Sequence, residues 1–184
     1  MRAAVVTALA VSVFAAGFIF GACKPKGSGT AMRSDSGGAW PYPVRLGDSR
    51  AQVHGSLGNA ARVTEVLEEY PLSGVTVWYN PEGRVAKLNF AGLACAVYSL
   101  ESIPSDRQLM FGLTAHTDEA GFRQLLGNPV RESVAGAANA KEARVVWRKD
   151  GYVIDALFLA SERAYQSQAL PLGRLVWFEI SPGV

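Results

Sequence analysis

The sequence predicts an α+β fold of two tandem repeats, each a helix plus a three-stranded antiparallel sheet, with the helices on one face of the sheet. Two segments carry the same helix pattern, each leads into a β-branched run that ends in tryptophan, and each run is followed by a glycine turn and an alternating apolar strand. A chain of 184 residues has the length of one domain or of two small repeated halves. The repeats are predicted at residues 42–103 and 104–184.

The predicted helices occupy residues 49–57 and 118–126, which align at an offset of 69. Both begin with a residue type that favours the N-cap position, and both stop at Leu-Gly-Asn. Each places apolar side chains four residues apart: Val53 and Leu57 in the first, Phe122 and Leu126 in the second. This spacing predicts a short amphipathic helix that ends at a glycine in each repeat.

A β-hairpin is predicted after each helix. The offset of 69 also carries Trp78 onto Trp147, each at the end of a β-branched run, so both tryptophans are expected in the core. Turn signals follow at residues 80–83 and 149–151. At an offset of 68, the second strands share an alternating apolar face, formed by Ala86, Leu88 and Phe90 in one repeat and by Ile154, Ala156 and Phe158 in the other.

Two further segments complete each repeat. A third strand is predicted at Leu93–Leu100 and at Arg174–Ile180. Over residues 61–69 apolar side chains recur at helical spacing and predict a second helix, whereas Arg131–Ala143 is rich in Ala and Gly and has little pattern. Because a three-stranded sheet is marginal alone, the repeats are expected to share a core or a continuous sheet.

The N-terminus has the pattern of an export signal, with Arg2 as its one charge before a long apolar run. Gly21 and Ala22 directly before Cys23 resemble the signal of bacterial lipoproteins, in which the cysteine carries lipid such as palmitate and becomes the mature N-terminus. Residues 1–22 are therefore predicted as a signal peptide. The alternative is an uncleaved anchor, since about twenty mostly apolar residues can just span a bilayer.

Residues 23–41 are predicted as a lipidated flexible linker, because they are rich in Gly and Ser. A coil of this length reaches roughly 20–25 Å, which keeps the folded part near the membrane surface. The predicted location is the cell envelope, lipid-anchored and facing the periplasm. Lys24 stands where an Asp retains enterobacterial lipoproteins at the inner membrane, and this favours the outer membrane.

Composition excludes several function classes. Charged residues make up 18% of the chain and the formal net charge is +2, so no nucleic-acid partner is expected. Two cysteines and two histidines provide neither a disulfide framework nor an all-histidine metal site, and no metal or cofactor motif occurs. With Cys23 lipidated, Cys95 is expected to be a small buried apolar side chain. No cofactor is therefore predicted.

Two short patterns resemble catalytic motifs without matching them. Ser56 lies in a run similar to a nucleophile elbow, but His54 stands where that motif has glycine, and the run lies in a predicted helix. His116 precedes two acidic residues in a pattern that is typical of a solvated helix N-terminus. The chain is therefore predicted not to be an enzyme, and an enzyme remains the least favoured alternative.

The segment Gly47-Asp48-Ser49, the stop at Leu57-Gly58 and the strand Val77-Trp78-Tyr79 together resemble the SmpA/OmlA (BamE-like) domain of outer-membrane lipoproteins. Two such units in tandem are also similar to the β-lactamase inhibitor protein fold. The resemblance covers residues 44–184. It implies a binding scaffold without catalysis or, by the second similarity, a module that blocks an extracytoplasmic enzyme.

The repeats differ on the other face of the second strand. In the first repeat Val85, Lys87 and Asn89 predict ordinary solvated sheet surface. In the second repeat this face and the third strand are apolar, and the candidate partner-binding residues are Leu157, Leu159, Leu175 and Trp177. Such a face is either covered by the loop at residues 165–172 or by the other repeat, or it binds a partner.

The predicted function is a membrane-tethered envelope lipoprotein that acts as a non-catalytic protein-binding module or assembly scaffold. Its expected partners are an envelope protein, which the sequence does not identify, and the membrane itself through the lipid anchor.

Overall fold

A computed structural model describes residues 41–95, 108–137, 141–161, 163–165, 168–170 and 172–183, all within the unit formed by residues 35–184. The described helical elements are α1 (Arg50–Leu57), α2 (Glu119–Leu126) and two 3-10 turns at Pro71–Ser73 and Met110–Gly112. The described strands are β1 (Arg62–Val63), β2 (Leu67–Tyr70), β3 (Val75–Tyr79), β4 (Val85–Ala91), β5 (Arg131–Ala135), β6 (Glu142–Lys149), β7 (Tyr152–Leu159), β8 (Arg163–Tyr165), β9 (Gln168–Leu170) and β10 (Leu175–Pro182).

Eight of these strands form one antiparallel sheet in the order β1-β2-β3-β4-β10-β7-β6-β5, and β8 pairs with β9 in a separate hairpin. The predicted fold class, α+β built from two repeats of a helix and three strands, is wrong. Most of the described structure is a single sheet, and its two α-helices are only eight residues long.

The largest error lies between α1 and β3, where the sequence predicts a helix over residues 61–69 and the structure has β1 and β2. Val63 and Val66, which contribute to the helical spacing, are 60% and 52% exposed, so that spacing does not mark a buried face. In β2, Glu68 and Tyr70 point into the protein, because side chains two residues apart share one face of a strand. The inward side chains of this strand include a hydrogen-bonded carboxylate, and a pattern of apolar residues does not indicate such a strand.

Both α-helices lie where the sequence predicts them. Ser49 and Asp118 cap the N-termini, since the side chain of each accepts a hydrogen bond from the backbone N–H three residues further on. Gly58 and Gly127 end the helices with φ values of 79° and 83°, where a Cβ would be strained. The same cap geometry in both copies supports the offset of 69 for the helices.

The two main hairpins, β3–β4 and β6–β7, correspond at an offset of 68. The equivalent cross-strand pairs are Val77 with Leu88 and Val145 with Ala156. The predicted equivalence of Trp78 and Trp147 is therefore wrong, because a shift of one residue turns a side chain to the opposite face of the sheet. Trp147 is fully buried, whereas Trp78 is only half-buried on the other face and does not join the core.

Strand β10 completes the sheet by lying between the two hairpins. It pairs antiparallel with β4 on one side and with β7 on the other. The third strand predicted at Arg174–Ile180 is thus confirmed as Leu175–Pro182. The one predicted at Leu93–Leu100 is wrong for residues 93–95, which form a turn, and its remainder lies outside the described residues.

The chain leaves the sheet at Gly92, where two backbones come very close. The N–H of Gly92 donates to the carbonyl oxygen of Val176 at 2.9 Å. A Cβ at position 92 would overlap the carbonyl oxygen of Leu175 and lie 2.6 Å from its Cγ. Since β10 already occupies this edge of β4, residues 93–95 cannot pair there as a third strand.

The core lies between the two helices and one face of the sheet, called here the inner face. The ring of Phe122, on α2, has its centroid 5.1 Å from that of Phe158, 5.3 Å from that of Phe178 and 5.6 Å from that of Trp147. Val53, on α1, belongs to the same buried cluster. These aromatic rings each bury a large apolar area, so the inner face supplies most of the hydrophobic stabilisation.

Candidate functional site

The opposite side of the sheet, called here the open face, carries neither α1 nor α2. Cross-strand neighbours share a face, so the strand registers assign its members. They include Arg62 on β1, Leu67 and Glu69 on β2, Thr76 and Trp78 on β3, Lys87 and Asn89 on β4, Trp177 and Glu179 on β10, Val153, Asp155 and Leu157 on β7, Arg144, Val146 and Arg148 on β6, and Arg131 on β5. Aromatic, aliphatic and charged side chains are mixed on this surface.

Strands β1–β4 form one half of the open face, called here the first-repeat half, and Lys87 links it to β10 at the centre. Its ammonium group lies 3.0 Å from Oε2 of Glu179, on the neighbouring strand. The same group lies 4.7 Å from the ring centroid of Trp78, which is within the range of a cation–π contact. The ion pair and the ring contact together hold a lysine and a half-buried tryptophan in fixed positions.

Strands β5–β7 form the other half of the open face, called here the second-repeat half. In it, Arg144 and Asp155 form a second ion pair. Arg144 Nε donates to Asp155 Oδ1 at 2.9 Å, and Nη2 donates to Oδ2 at 2.6 Å, in a bidentate arrangement. These hydrogen bonds raise the pKa of Arg144. Asp155 is one of two buried acidic residues in the described structure, and Arg144 provides the countercharge that its burial requires.

The structure separates the four predicted partner-binding residues into two groups. Leu157 and Trp177 are opposite each other on β7 and β10, and both are half-buried on the open face. Leu159 and Leu175 are each 1% exposed. An irregular register at Leu175–Trp177 turns Leu175 to the inner face, and Leu170 of the β8–β9 hairpin packs in one cluster with Leu159. Only Leu157 and Trp177 are therefore accessible to a partner.

The predicted solvated surface of the first repeat holds for Lys87 and Asn89 but is wrong for Val85, which is buried. The register of β3 and β4 shifts between Trp78 and Tyr79, so that Tyr79 pairs with Val85. A bulge of this kind breaks the alternation of side chains, and it places Val85 on the inner face.

A second polar site lies on the inner side and centres on Glu68, which is 1% exposed. Its Oε1 accepts from Arg50 Nη1 at 2.8 Å and contacts His54 Nε2 at 3.0 Å. Its Oε2 accepts from the hydroxyls of Tyr70 at 2.8 Å and Tyr79 at 2.6 Å. Sequence patterns do not reveal this cluster, because a helical assignment of residues 61–69 hides which side chains point inward.

Opposing effects act on the pKa of Glu68. Burial raises it, but the hydrogen bonds from Tyr79, Tyr70 and His54 outweigh burial and hold the pKa below its ordinary value of 4.5. Burial and the bond to Glu68 raise the pKa of both tyrosines. The carboxylate is thus ionised at neutral pH, and both tyrosines are protonated.

The Glu68 cluster joins α1 to the sheet. A carboxylate has about four lone-pair positions, and four donors occupy those of Glu68. Arg50 also donates to the backbone carbonyls of Thr64 and Glu65, before β2, and its guanidinium carbon lies 4.1 Å from the ring centroid of Tyr79. The carboxylate has no free position for a substrate, so its role is structural.

The other residues singled out in the sequence do not assemble a catalytic site. Ser56 is exposed within α1, which agrees with the helical prediction for this run. His116 contributes a buried ring nitrogen that has no hydrogen-bond partner among the described residues, and Cys95 is buried as expected. Within the described ranges no group of three or more His, Cys, Asp or Glu side chains could hold a metal ion.

No helix of the described residues is both long and apolar enough to cross a membrane. The predicted signal peptide, residues 1–22, and the predicted lipidation site, Cys23, lie outside the described residues. Both therefore stay predictions.

No family model matches the chain, and neither a curated protein nor a solved structure does. The resemblance to the SmpA/OmlA (BamE-like) domain and the similarity to the β-lactamase inhibitor protein fold stay predictions from the sequence.

Proposed function

We propose that this protein is a membrane-tethered lipoprotein of the cell envelope whose open sheet face binds a partner protein, without catalysis. The observation that carries the proposal is the composition of that face. Trp78 and Trp177 are both half-buried on it, and the Lys87–Glu179 and Arg144–Asp155 ion pairs lie beside them. Tryptophan and arginine are enriched among the residues that dominate binding energy at protein interfaces.

The size of the open face fits a protein partner. Eight strands at about 4.8 Å spacing span roughly 34 Å, and strands of about six residues are roughly 20 Å long, which gives an area near 700 Å². A stable interface of standard size buries about 800 Å² on each partner. The β8–β9 hairpin covers the end of this face at Leu159, and the remainder can supply much of one interface without help from the helices.

The tether belongs to the same proposal. Lipid on Cys23 and a flexible segment over residues 23–41 would hold the folded part within roughly 20–25 Å of the membrane, most favourably the outer membrane. Restriction to that layer raises the local concentration of a partner that is also held there. Affinity of the open face alone can then be modest.

An inhibitor module that blocks an extracytoplasmic enzyme is the second candidate, and the charges on the open face favour it less. Such a module needs acidic side chains free to enter a partner's site. Glu179 is already paired with Lys87, and Asp155 with Arg144. Breaking either ion pair would cost free energy on binding, whereas a binding surface that leaves both pairs intact avoids this cost.

Site-specific photocrosslinking in the native host tests the open face. Benzoylphenylalanine at position 78 or 177 should give one discrete adduct, because an aromatic group already stands at each position. The same probe at Ala51 on α1 or Ala120 on α2, both exposed, serves as the matched control and should give none. Adducts of the same mass from helix and sheet positions would contradict a binding site on the open face.

The contribution of Trp177 can be measured on the same complex. We expect Trp177→Ala to weaken partner capture by at least about tenfold, since an aromatic anchor contributes about 2 kcal/mol or more. A loss of folding stability near 3–5 kcal/mol would instead identify Trp177 as a core residue.

The anchor is tested separately by Cys23→Ser. The variant should lose metabolic labelling with palmitate and accumulate as precursor in the membrane fraction. Normal processing and unchanged fractionation would refute the lipoprotein assignment while leaving the open face untouched.

A further inference from the structure

Three arginines lie close together in the second-repeat half of the open face. Arg144 and Arg148 flank Val146 on β6, and Arg131 on β5 is directly opposite Val146. Diagonal neighbours on adjacent strands have side chains roughly 7–8 Å apart, so Arg131 is about that far from each of the other two. Val146 lies in the middle and is 7% exposed.

Two of these three guanidinium groups have no countercharge among the residues that the structure describes. Arg144 is bound to Asp155. The side chains of Arg131 and Arg148 make no hydrogen bond or ion pair with any other described residue, and both are exposed. Of the nearby carboxylates, Glu132 is bound to Arg123. Glu142 shares the open face but lies four residues along β6 from the position opposite Arg131, which is about 13 Å.

The first-repeat half of the open face has a different charge balance. Its cations are Lys87, which pairs with Glu179 at 3.0 Å, and Arg62, which pairs with Glu69 at 3.2 Å. Among the described residues the open face is therefore uneven: the cations of one half are paired, and the other half carries two arginines without a bonded carboxylate. Apolar side chains lie beside the positive half, since Arg148 is opposite Val153 and Arg144 is opposite Leu157.

We propose that the second-repeat half of the open face binds an acidic segment of the partner protein, with its carboxylates on Arg131 and Arg148 and an apolar side chain against Leu157 and Trp177. This inference rests on the proposed function, since it names the chemistry of the partner for the same face. Exposed arginines beside half-buried apolar groups recognise carboxylates by paired hydrogen bonds while the apolar contact excludes water.

A membrane surface is the competing source of negative charge. An anionic lipid surface attracts arginine, but firm attachment also needs apolar side chains that enter the acyl region. Leu157 and Trp177 are half-buried, pack against the cluster of Leu159, Leu170 and Val176, and do not offer such an insertion. The geometry favours a protein segment, and vesicles become one arm of the test.

The test measures fluorescence anisotropy of a labelled twelve-residue peptide of alternating Asp and Leu with the full-length protein. A peptide with Asn in place of Asp is the neutral comparison. Wild type should bind the acidic peptide at least tenfold more tightly, and Arg131→Gln/Arg148→Gln should remove that preference. Arg84→Gln/Lys149→Gln removes the same charge outside the open face, because Arg84 pairs with Ser49 beside α1 and the ammonium group of Lys149 donates to the carbonyl oxygen of Leu125 on α2. This control should retain the preference.

Several outcomes overturn the inference: equal binding of both peptides, equal loss in both double variants, or arginine-dependent binding to vesicles of phosphatidylglycerol and phosphatidylcholine without binding to the peptide. Crosslinking distinguishes this failure from that of the proposed function. An adduct from position 177 that persists in Arg131→Gln/Arg148→Gln leaves the open face as a binding site and refutes its acidic partner. An absence of adducts from positions 78 and 177 refutes the proposed function itself.

Discussion

Replacing Glu68 by glutamine should destabilise the protein far more than the loss of one charge on its surface would. The substitution keeps the shape of the side chain but removes the countercharge of Arg50. The glutamine amide also has an N–H₂ group, which donates where the carboxylate accepted. In one orientation this group faces the hydroxyls of Tyr70 and Tyr79, and in the other it faces Arg50 and His54, so donor meets donor in both.

The magnitude follows from the burial of the two partners. Removing one member of a buried ion pair costs about 3–5 kcal/mol. Glu68 is 1% exposed, but the side chain of Arg50 is 29% exposed and is partly solvated by water, so the lower end of that range, about 3 kcal/mol, is expected. For a domain of this size each kcal/mol shifts the Tm by about 3 °C, which gives a fall of about 9 °C at pH 7.

The effect should depend on pH in a defined direction. The folded protein holds the pKa of Glu68 below its ordinary value of 4.5, so the stabilisation is fully present above pH 4.5 and is lost as the pH falls through the lower folded pKa. The glutamine does not titrate. The difference in Tm between wild type and Glu68→Gln should therefore shrink as the pH falls below about 4.5 and the carboxylate becomes protonated.

Glu69→Gln is the matched control, because Glu69 is the next residue on β2 and pairs with the exposed Arg62 at 3.2 Å. An ion pair of this kind contributes about 0–1 kcal/mol. The assay is thermal unfolding of both variants and the wild type, followed by circular dichroism between pH 3 and pH 7. Equal losses in the two variants, or a Glu68→Gln difference as large at pH 3 as at pH 7, would refute the structural role assigned to the cluster.

Four other substitutions test the fold by urea denaturation. Gly92→Ala should lower the free energy of unfolding by about 1–3 kcal/mol, because its Cβ would overlap Leu175, and an unchanged midpoint would contradict the close approach of the two backbones. Trp147→Ala should cost about 3–5 kcal/mol and Trp78→Ala less than about 1 kcal/mol, and the reverse order would show that the faces are misassigned. Asp118→Ala should cost about 1 kcal/mol through loss of the N-cap, with no loss expected if its side chain is solvated instead.

The sequence predicts those elements whose signals are local. The helices carry a capping residue at one end and glycine at the other, and both signals act within a few residues. The hairpin turns are local as well. The signal for pairing β4 with β10 is not local, because the two strands are distant in the chain and no pattern within either strand indicates which strand lies beside it.

The candidate site was only partly predictable for the same reason. An apolar second-repeat face could be inferred from alternation, and Leu157 and Trp177 do lie on the open face. The irregular register that turns Leu175 inward leaves no mark in the sequence. The Glu68 cluster draws its donors from α1, β2 and β3, and only the folded chain brings these together.

The central position of β10 has a consequence for how the protein acquires its structure. Its partners on β4 are about 90 residues away in the chain, and contacts of such separation fold slowly because a long loop must close first. Because β10 is the last strand in the chain, β4 and β7 each lack one hydrogen-bonded neighbour until the C-terminal segment becomes available. Exposed edges of this kind pair readily with other chains. A chaperone that shields them until the last strand has emerged would raise the yield of folded protein, and a chain truncated before residue 175 should aggregate.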